Sequence, residues 1–280
     1  MSHRGPQNPP VVLMPDVRRD AIAAEVARHG AVRTEDLAQR FDVSIETIRR
    51  DLLALEERGL LRRVFGGARS AGGRTTEPSF EERAVLHLTA KQAMARLAAG
   101  LIGAGDSVFM DIGTSVAEVA RALPVDLPCR VLTNSMLVAN ELVDRPQAEV
   151  TVSGGRLRRG DLALSGPDAQ RFFEGYYADR VFLGSGGVDP VAGLTDFHTD
   201  EIAVRRVLIT HATERFVLAD SSKLGLVALG KVCDISELTG VITDDGADPA
   251  VIEALRGARV EVLVAPTGSA AGVAAGPATP

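Results

Sequence analysis

Residues 34–59 read TEDLAQRFDVSIETIRRDLLALEERG, and this stretch decides the N-terminal fold. Two helical patterns, about 35–41 opened by Thr34 and about 45–58 opened by Ser44 and closed by Gly59, meet at a short turn at Asp42 and Val43. That is helix-turn-helix spacing, with Leu37, Ala38, Phe41 and Val43 available to pack between the helices. On the second helix Ile45, Ile48, Leu52 and Leu55 share one face, while Arg50 points roughly opposite with Glu46 and Thr47 to either side. An α-helix fits the major groove, and the N-terminal residues of a recognition helix are those that reach base edges. Thr34, Ser44, Thr47, Arg49 and Arg50 are therefore the candidate DNA contacts. Plainer roles exist beside these: Ser44 is a good N-cap, the helix dipole favours Glu46, and Asp51 is placed to pair with Arg50.

Upstream, a helix over about 16–29 is closed by Gly30. Downstream, LLRRVFGGARS (60–70) has two short extended runs around a Gly-Gly pair, which suits a small β-hairpin wing. Its Arg62, Arg63 and Arg69 are suited to phosphates rather than bases. SAGGRTTEP (70–78) then separates this block from the rest of the chain. The expected organisation is a disordered tail over 1–14, a winged helix-turn-helix over 15–70, a linker over 71–79, an α/β domain over 80–265 and a Gly/Ala/Pro-rich disordered tail over 266–280.

Composition agrees with two globular domains: 280 residues, 45% of them apolar. The net charge of −6 conceals an asymmetry, because residues 1–70 hold 12 arginines against 10 acidic residues and the surplus of acid lies beyond them. Total charge alone does not establish nucleic-acid binding. No run of about 18 apolar residues and no apolar leader is present, so a cytoplasmic protein without membrane association is expected. Cys129 and Cys233 lack metal or redox spacing and read as buried small apolar residues; no metal site and no cofactor are expected.

The C-terminal block opens with a helix over about 80–102. Seven short apolar runs follow: SVFMDI, CRVLTN, AEVTVSG, DRVFLGSGG, RFVLADSS, GVITD and VEVLVA. Helical patterns separate most of them and many end in Gly, Ser, Thr, Asn or Asp, which predicts a mostly parallel sheet with ligand loops at strand C-termini. After the first run, Asp111, Gly113, Thr114 and Ser115 lie where a helix start would offer free N–H groups to an anion. Further candidates are Thr133 and Asn134, Gly154 and Gly155, Gly184, Gly186 and Gly187, and the run Asp220, Ser222 and Lys223, one of three lysines in the chain. Each loop alone also reads as an ordinary turn or cap. Together they supply amides, hydroxyls, a carboxylate and a cation, the set a phosphorylated polyol needs.

The run VSIETIRRDLLALEERGLLRRVFGGA resembles the N-terminal signature of the DeoR/GlpR family of bacterial repressors. The order IGTS, VLTNS, SGG, FLGSGG, LADSSKLG and ITD resembles that family's sensor domain, itself similar to ribose-5-phosphate isomerase and CoA transferases. The resemblance spans roughly residues 17–245. It departs at Gly113-Thr114-Ser115, where the family commonly has Gly-Thr-Thr. What it implies is a homodimeric or homotetrameric repressor whose grip on double-stranded operator DNA is set by a phosphorylated sugar or polyol, without enzymatic activity. Asp196 and His198, followed by Glu201, look like the part that differs between ligand classes, with helix capping the alternative for Asp196. Two other readings stay open: an isomerase-like or CoA-transferase-like enzyme, to which Asp245-Gly246-Ala247-Asp248 points, and a constitutive DNA-binding protein whose second domain only oligomerises.

Overall fold

The computed structural model describes residues 14–29, 31–58, 60–64, 66–70, 77 and 80–268. The expected tails before residue 14 and beyond 268, the linker apart from Glu77, and the helix-closing Gly30 and Gly59 lie outside the described residues. The chain divides into two compact units, Met1–Gly73 and Arg74–Pro280.

In the first unit, α1 (Pro15–His29), β1 (Ala31–Arg33), α2 (Thr34–Phe41), α3 (Ile45–Glu57), β2 (Leu61–Val64) and β3 (Gly67–Ser70) follow in order. The hairpin β2–β3 is the expected wing, and β1 pairs with β3 to complete a three-stranded antiparallel sheet that sequence patterning did not reveal. Asp42 turns the chain between α2 and α3 in a left-handed conformation (φ 51°) that Asp tolerates. Ile22, Val26, Leu37, Ile48, Leu52, Leu55 and Leu61 form the core. Ile45, expected on the buried face, is 42% exposed, because the core does not extend to the first turn of α3.

In the second unit the helix expected over 80–102 is two helices, α4 (Phe80–Val85) and α5 (Leu88–Ala99), broken where His87 adopts φ 54°. The strands β4 (Ser107–Met110), β5 (Cys129–Thr133), β6 (Ala148–Val152), β9 (Ala178–Leu183), β12 (Ala212–Leu218), β14 (Gly240–Asp244) and β15 (Glu261–Ala265) are the seven apolar runs. They form one sheet in the order β15-β14-β12-β9-β4-β5-β6, parallel throughout. Connections are α6 (Thr114–Ala122), α7 (Met136–Leu142), α8 (Pro167–Glu174), α9 (Thr199–Thr210) and α10 (Pro249–Gly257). Smaller pieces are the hairpin β7 (Arg156–Arg158) and β8 (Ala163–Ser165), and a three-stranded antiparallel sheet of β10 (Gly187–Asp189), β11 (Gly193–Asp196) and β13 (Gly230–Cys233).

Both faces of the large sheet are covered, which is why its strands read as unbroken apolar runs. Val108 and Met110 of β4 pack with α5, α6 and α7, whereas Phe109 between them packs with Phe173 of α8 and the apolar side of α9. The chain order reverses between β4 and β9: β5 and β6 lie to one side, β12, β14 and β15 to the other. A crevice at strand C-termini is expected at such a switch point. Cys129 and Cys233 are buried free thiols, and burial pushes Cys233 up to about 12. Thr267, within the expected tail, is tied back by hydrogen bonds from its N–H (3.0 Å) and hydroxyl (2.7 Å) to Asp245.

Candidate functional site

On α3 the Ser44 hydroxyl accepts the Thr47 N–H at 3.1 Å and lies 2.9 Å from the Thr47 hydroxyl, so the two candidates brace the helix start. Arg49 and Arg50 are exposed; Arg49 meets Glu46 one turn earlier at 3.4 Å. Asp51 is corrected: it does not pair with Arg50 but is buried and accepts from Arg18 (2.6 Å) and Arg19 (2.9 Å) of α1, locking α3 to the first helix. Thr34 is also corrected. It is buried, and its N–H donates to Gly66 at 2.8 Å, which anchors α2 to the wing rather than facing outward. Arg62 and Arg63 are exposed on β2, Arg63 paired with Glu56 at 2.9 Å, and Arg69 is half-buried.

In the second unit a small cleft opens at the switch point between β4 and β9. Gly113, Thr114 and Ser115 line it from the start of α6, where Gly113 (φ 114°) precedes a helix with no side-chain cap. Orphan N–H groups at such a start attract anions. Gly184 and Ser185 line it from the loop after β9. A Cβ at Gly184 would stand 2.6 Å from the Ile112 carbonyl, so glycine is needed for the two loops to approach. Lys223 reaches the same cleft from a turn capped by Asp220, whose carboxylate accepts the Ser222 N–H at 3.1 Å, and its ammonium donates to the Ser185 carbonyl. Burial lowers the Lys223 pKa against the pull of the Asp220 charge.

Beneath the cleft, Arg205 of α9 is buried between Asp111, at 2.5 Å, and Asp196. Asp111 also accepts the Gly184 N–H at 3.0 Å, and burial raises its pKa despite Arg205. Burial pushes Asp196 the same way, but Arg205 and the N–H groups of Phe197 and His198 outweigh it and hold Asp196 below the usual range. Asp196 thus lines the cleft and also supports the start of α9. Opposite lie Arg83, Arg158, Asp161, Glu77 and Glu201; of these the sequence pointed only to Glu201, at the end of the stretch expected to differ between ligand classes. Arg83 meets Glu77 at 2.9 Å and Asp161 at 2.7 Å; Arg158 meets Glu201 at 2.7 Å and also pairs with Asp161. His198 does not line the cleft but holds Glu77 at 3.0 Å.

Several candidates stand elsewhere. Thr133 is buried and its hydroxyl accepts the Ser135 N–H; Asn134 is buried with its amide on the Leu164 carbonyl. Gly154 is exposed away from the cleft. Gly155, Gly186 and Gly187 serve close packing: a Cβ there would come within 2.6 Å of Ser165, 2.9 Å of Asp196 and 2.3 Å of Leu226. Asp111, Asp220 and Ser222 support the cleft without lining it. In the isomerase-like tetrapeptide, Asp245 holds Thr267 and Asp248 caps α10, so neither carboxylate faces the cleft.

Burial lifts the Glu201 carboxyl to about 7 against the charges of Arg205 and Arg158. A carboxyl raised on folding is protonated more readily in the native than in the unfolded chain, so stability is lost as pH climbs from about 4.5 to about 7. Glu201→Gln is expected to gain about 2–3 kcal/mol over the wild type between pH 5 and pH 8, read from denaturant midpoints. A difference independent of pH would refute the raised carboxyl.

Residues 18–73 match the DeoR-like helix-turn-helix domain, and residues 86–245 match the DeoR C-terminal sensor domain. The chain belongs to the DeoR family and is a DNA-binding transcriptional repressor of that type. It is 32% identical to the glycerol-3-phosphate regulon repressor of Escherichia coli K12 over 85% of this chain and 94% of the relative. Identity to the regulator GlpR of Haloferax volcanii is 35%, over 90% and 98%. Identity to the repressor CsqR of Escherichia coli K12 is 32%, over 88% and 94%. Among solved structures, ribose 5-phosphate isomerase A of Methanocaldococcus jannaschii aligns at 17% identity over 49% of this chain and 55% of that one, with a TM-score of 0.38. The Pyrococcus horikoshii initiation factor eIF-2B aligns at 13% over 82% of each, with a TM-score of 0.43. Likeness at that level says nothing of chemistry. Among the described residues no helix is long and apolar enough to cross a membrane.

Proposed function

We propose that this repressor binds a phosphorylated sugar or polyol in the cleft between β4 and β9, and that the bound effector changes operator affinity. The observation that carries the reading is the meeting of the uncapped start of α6 with Lys223 at one crevice. Backbone N–H groups and an ammonium suit a phosphate, while Asp196 and Thr114 suit hydroxyls. The relative named for the glycerol-3-phosphate regulon favours an effector of this class. Control operates by linkage: a homodimer or homotetramer presents paired α3 helices to an operator, and the effector prefers one arrangement over another.

Calorimetric titration of phosphorylated sugars and polyols into the full chain tests this. Lys223→Ala is expected to weaken binding by about 1.5–3 kcal/mol, roughly ten- to hundredfold, as the loss of a charge-assisted hydrogen bond. No heat from any member of the panel, or full affinity in the lysine variant, would remove the sensing role.

A further inference from the structure

We infer that Glu77 is a built-in occupant of the effector cleft, a carboxylate that a phosphate dianion must displace from Arg83, Arg158 and His198, and that this exchange is how effector binding acts on the chain leading from the DNA-binding unit. The inference rests on the effector reading above and names the regulation of that site.

Four cationic side chains line the cleft, Arg83, Arg158, Arg205 and Lys223, and four carboxylates face them, Glu77, Asp161, Asp196 and Glu201. With all eight charged the set is neutral, and protonation of Glu201, whose carboxyl is lifted to about 7, leaves a surplus of one, so an arriving dianion still lacks a full counter-charge until another carboxylate leaves. Asp196 is fixed in β11 by Arg205 and two backbone N–H groups, and Glu201 is buried in α9. Asp161 is buried between Arg83 and Arg158. Glu77 differs. It precedes α4 outside any helix or strand, and its carboxylate, 16% exposed, reaches Arg83 at 2.9 Å, His198 at 3.0 Å and Arg158 at 3.6 Å. Asp161 also lies outside the regular elements, but it sits in the tight turn between β7 and β8, is more buried than Glu77 and is held there by Arg158 of the same hairpin, so Glu77 is the lining carboxylate best placed to leave.

Position along the chain supplies the consequence. Glu77 stands four residues after Gly73, where the first unit ends, so its ion pairs anchor to the cleft the covalent path between the two units. A phosphate that takes the cations releases that anchor. The buried Lys91 ammonium donates to the Arg83 carbonyl, which keeps the backbone of Arg83 in place whichever anion its guanidinium holds. Glu77 and a bound phosphate thus exclude each other, and that exclusion is a differential contact of the kind an allosteric ligand needs.

The test uses the full chain, with inorganic phosphate and glycerol 3-phosphate as probes and a labelled fragment of its own promoter. Glu77→Gln is expected to bind both probes about tenfold more tightly than the wild type, within the usual span of coupling. Without any probe, its promoter affinity should already sit at the value the wild type reaches when saturated. In the wild type, hydrogen exchange at residues 77–83 should quicken on adding either probe, a readout that needs no variant. Unchanged probe affinity in Glu77→Gln, or unchanged exchange at 77–83, with Lys223 still required for binding, would overturn the displacement and leave the effector reading standing. Failure of both probes, and of every member of the phosphorylated sugar and polyol panel, to bind either protein would overturn the two together.

Discussion

Arg49→Ala combined with Arg50→Ala is expected to abolish specific retardation of the protein's own promoter DNA. Both side chains are exposed on α3, outside the cluster of Ile48, Leu52 and Leu55 that holds the helix, so the variant keeps its fold. A side chain that reads a base edge contributes about 1–3 kcal/mol, so losing two lowers specific affinity by roughly two to four orders of magnitude. Binding to unrelated DNA should fall less, because Arg62 and Arg63 remain on the wing for phosphates. Fluorescence anisotropy across a salt series separates the two effects, since phosphate contacts set the salt slope. Sequence-specific binding that survives in the double variant would remove α3 as the reading helix.

Arg205→Ala is expected to be the most destabilising single substitution in the sensor unit. Arg205 is 3% exposed and lies between Asp111 and Asp196, themselves buried at 1% and 3%. Deleting the guanidinium leaves two carboxylates in the interior without their counter-ion, which costs about 3–5 kcal/mol. For a unit of this size that corresponds to a fall in Tm of roughly 6–20 °C, measured by calorimetry at neutral pH. The triple variant Asp111→Asn, Asp196→Asn, Arg205→Met, which removes all three charges together, should recover much of the loss. A melting point within about 2 °C of the wild type for Arg205→Ala would show that the carboxylates find other partners or protons.

These two arginine sites differ in how far the sequence exposes them. The α3 pair is visible because a helix has a period, and Ile48, Leu52 and Leu55 on one side place Arg49 and Arg50 on the other. The same period does not tell which turn of α3 the core covers: it places Ile45 with the inward residues, and Ile45 stands outward. Nor does it show that Asp51 passes over its neighbour Arg50 for Arg18, 33 residues away. The break at His87 had no Gly or Pro to announce it. In the sensor unit, Gly113, Thr114, Ser115, Gly184 and Lys223 were readable because each follows an apolar run, and the ends of parallel strands converge on one edge of a sheet. Thr133, Asn134, Gly155 and Gly187 follow such runs too, yet they serve turns and close backbone approach.

Local chemistry, then, determined from the sequence alone the helix-turn-helix, the wing, the seven strands of the large sheet and the residues of the turn before α6, because caps, turns and periodicity act over a few residues. Strand order decided the rest. Placing β9 beside β4 brings Arg205 to Asp111 across 94 residues and gathers Arg83, Arg158 and Glu77 around the same crevice. Ion pairs of that span carry no spacing signal, since a charge chooses its partner by distance in the folded chain, and that distance exists only after the sheet has formed.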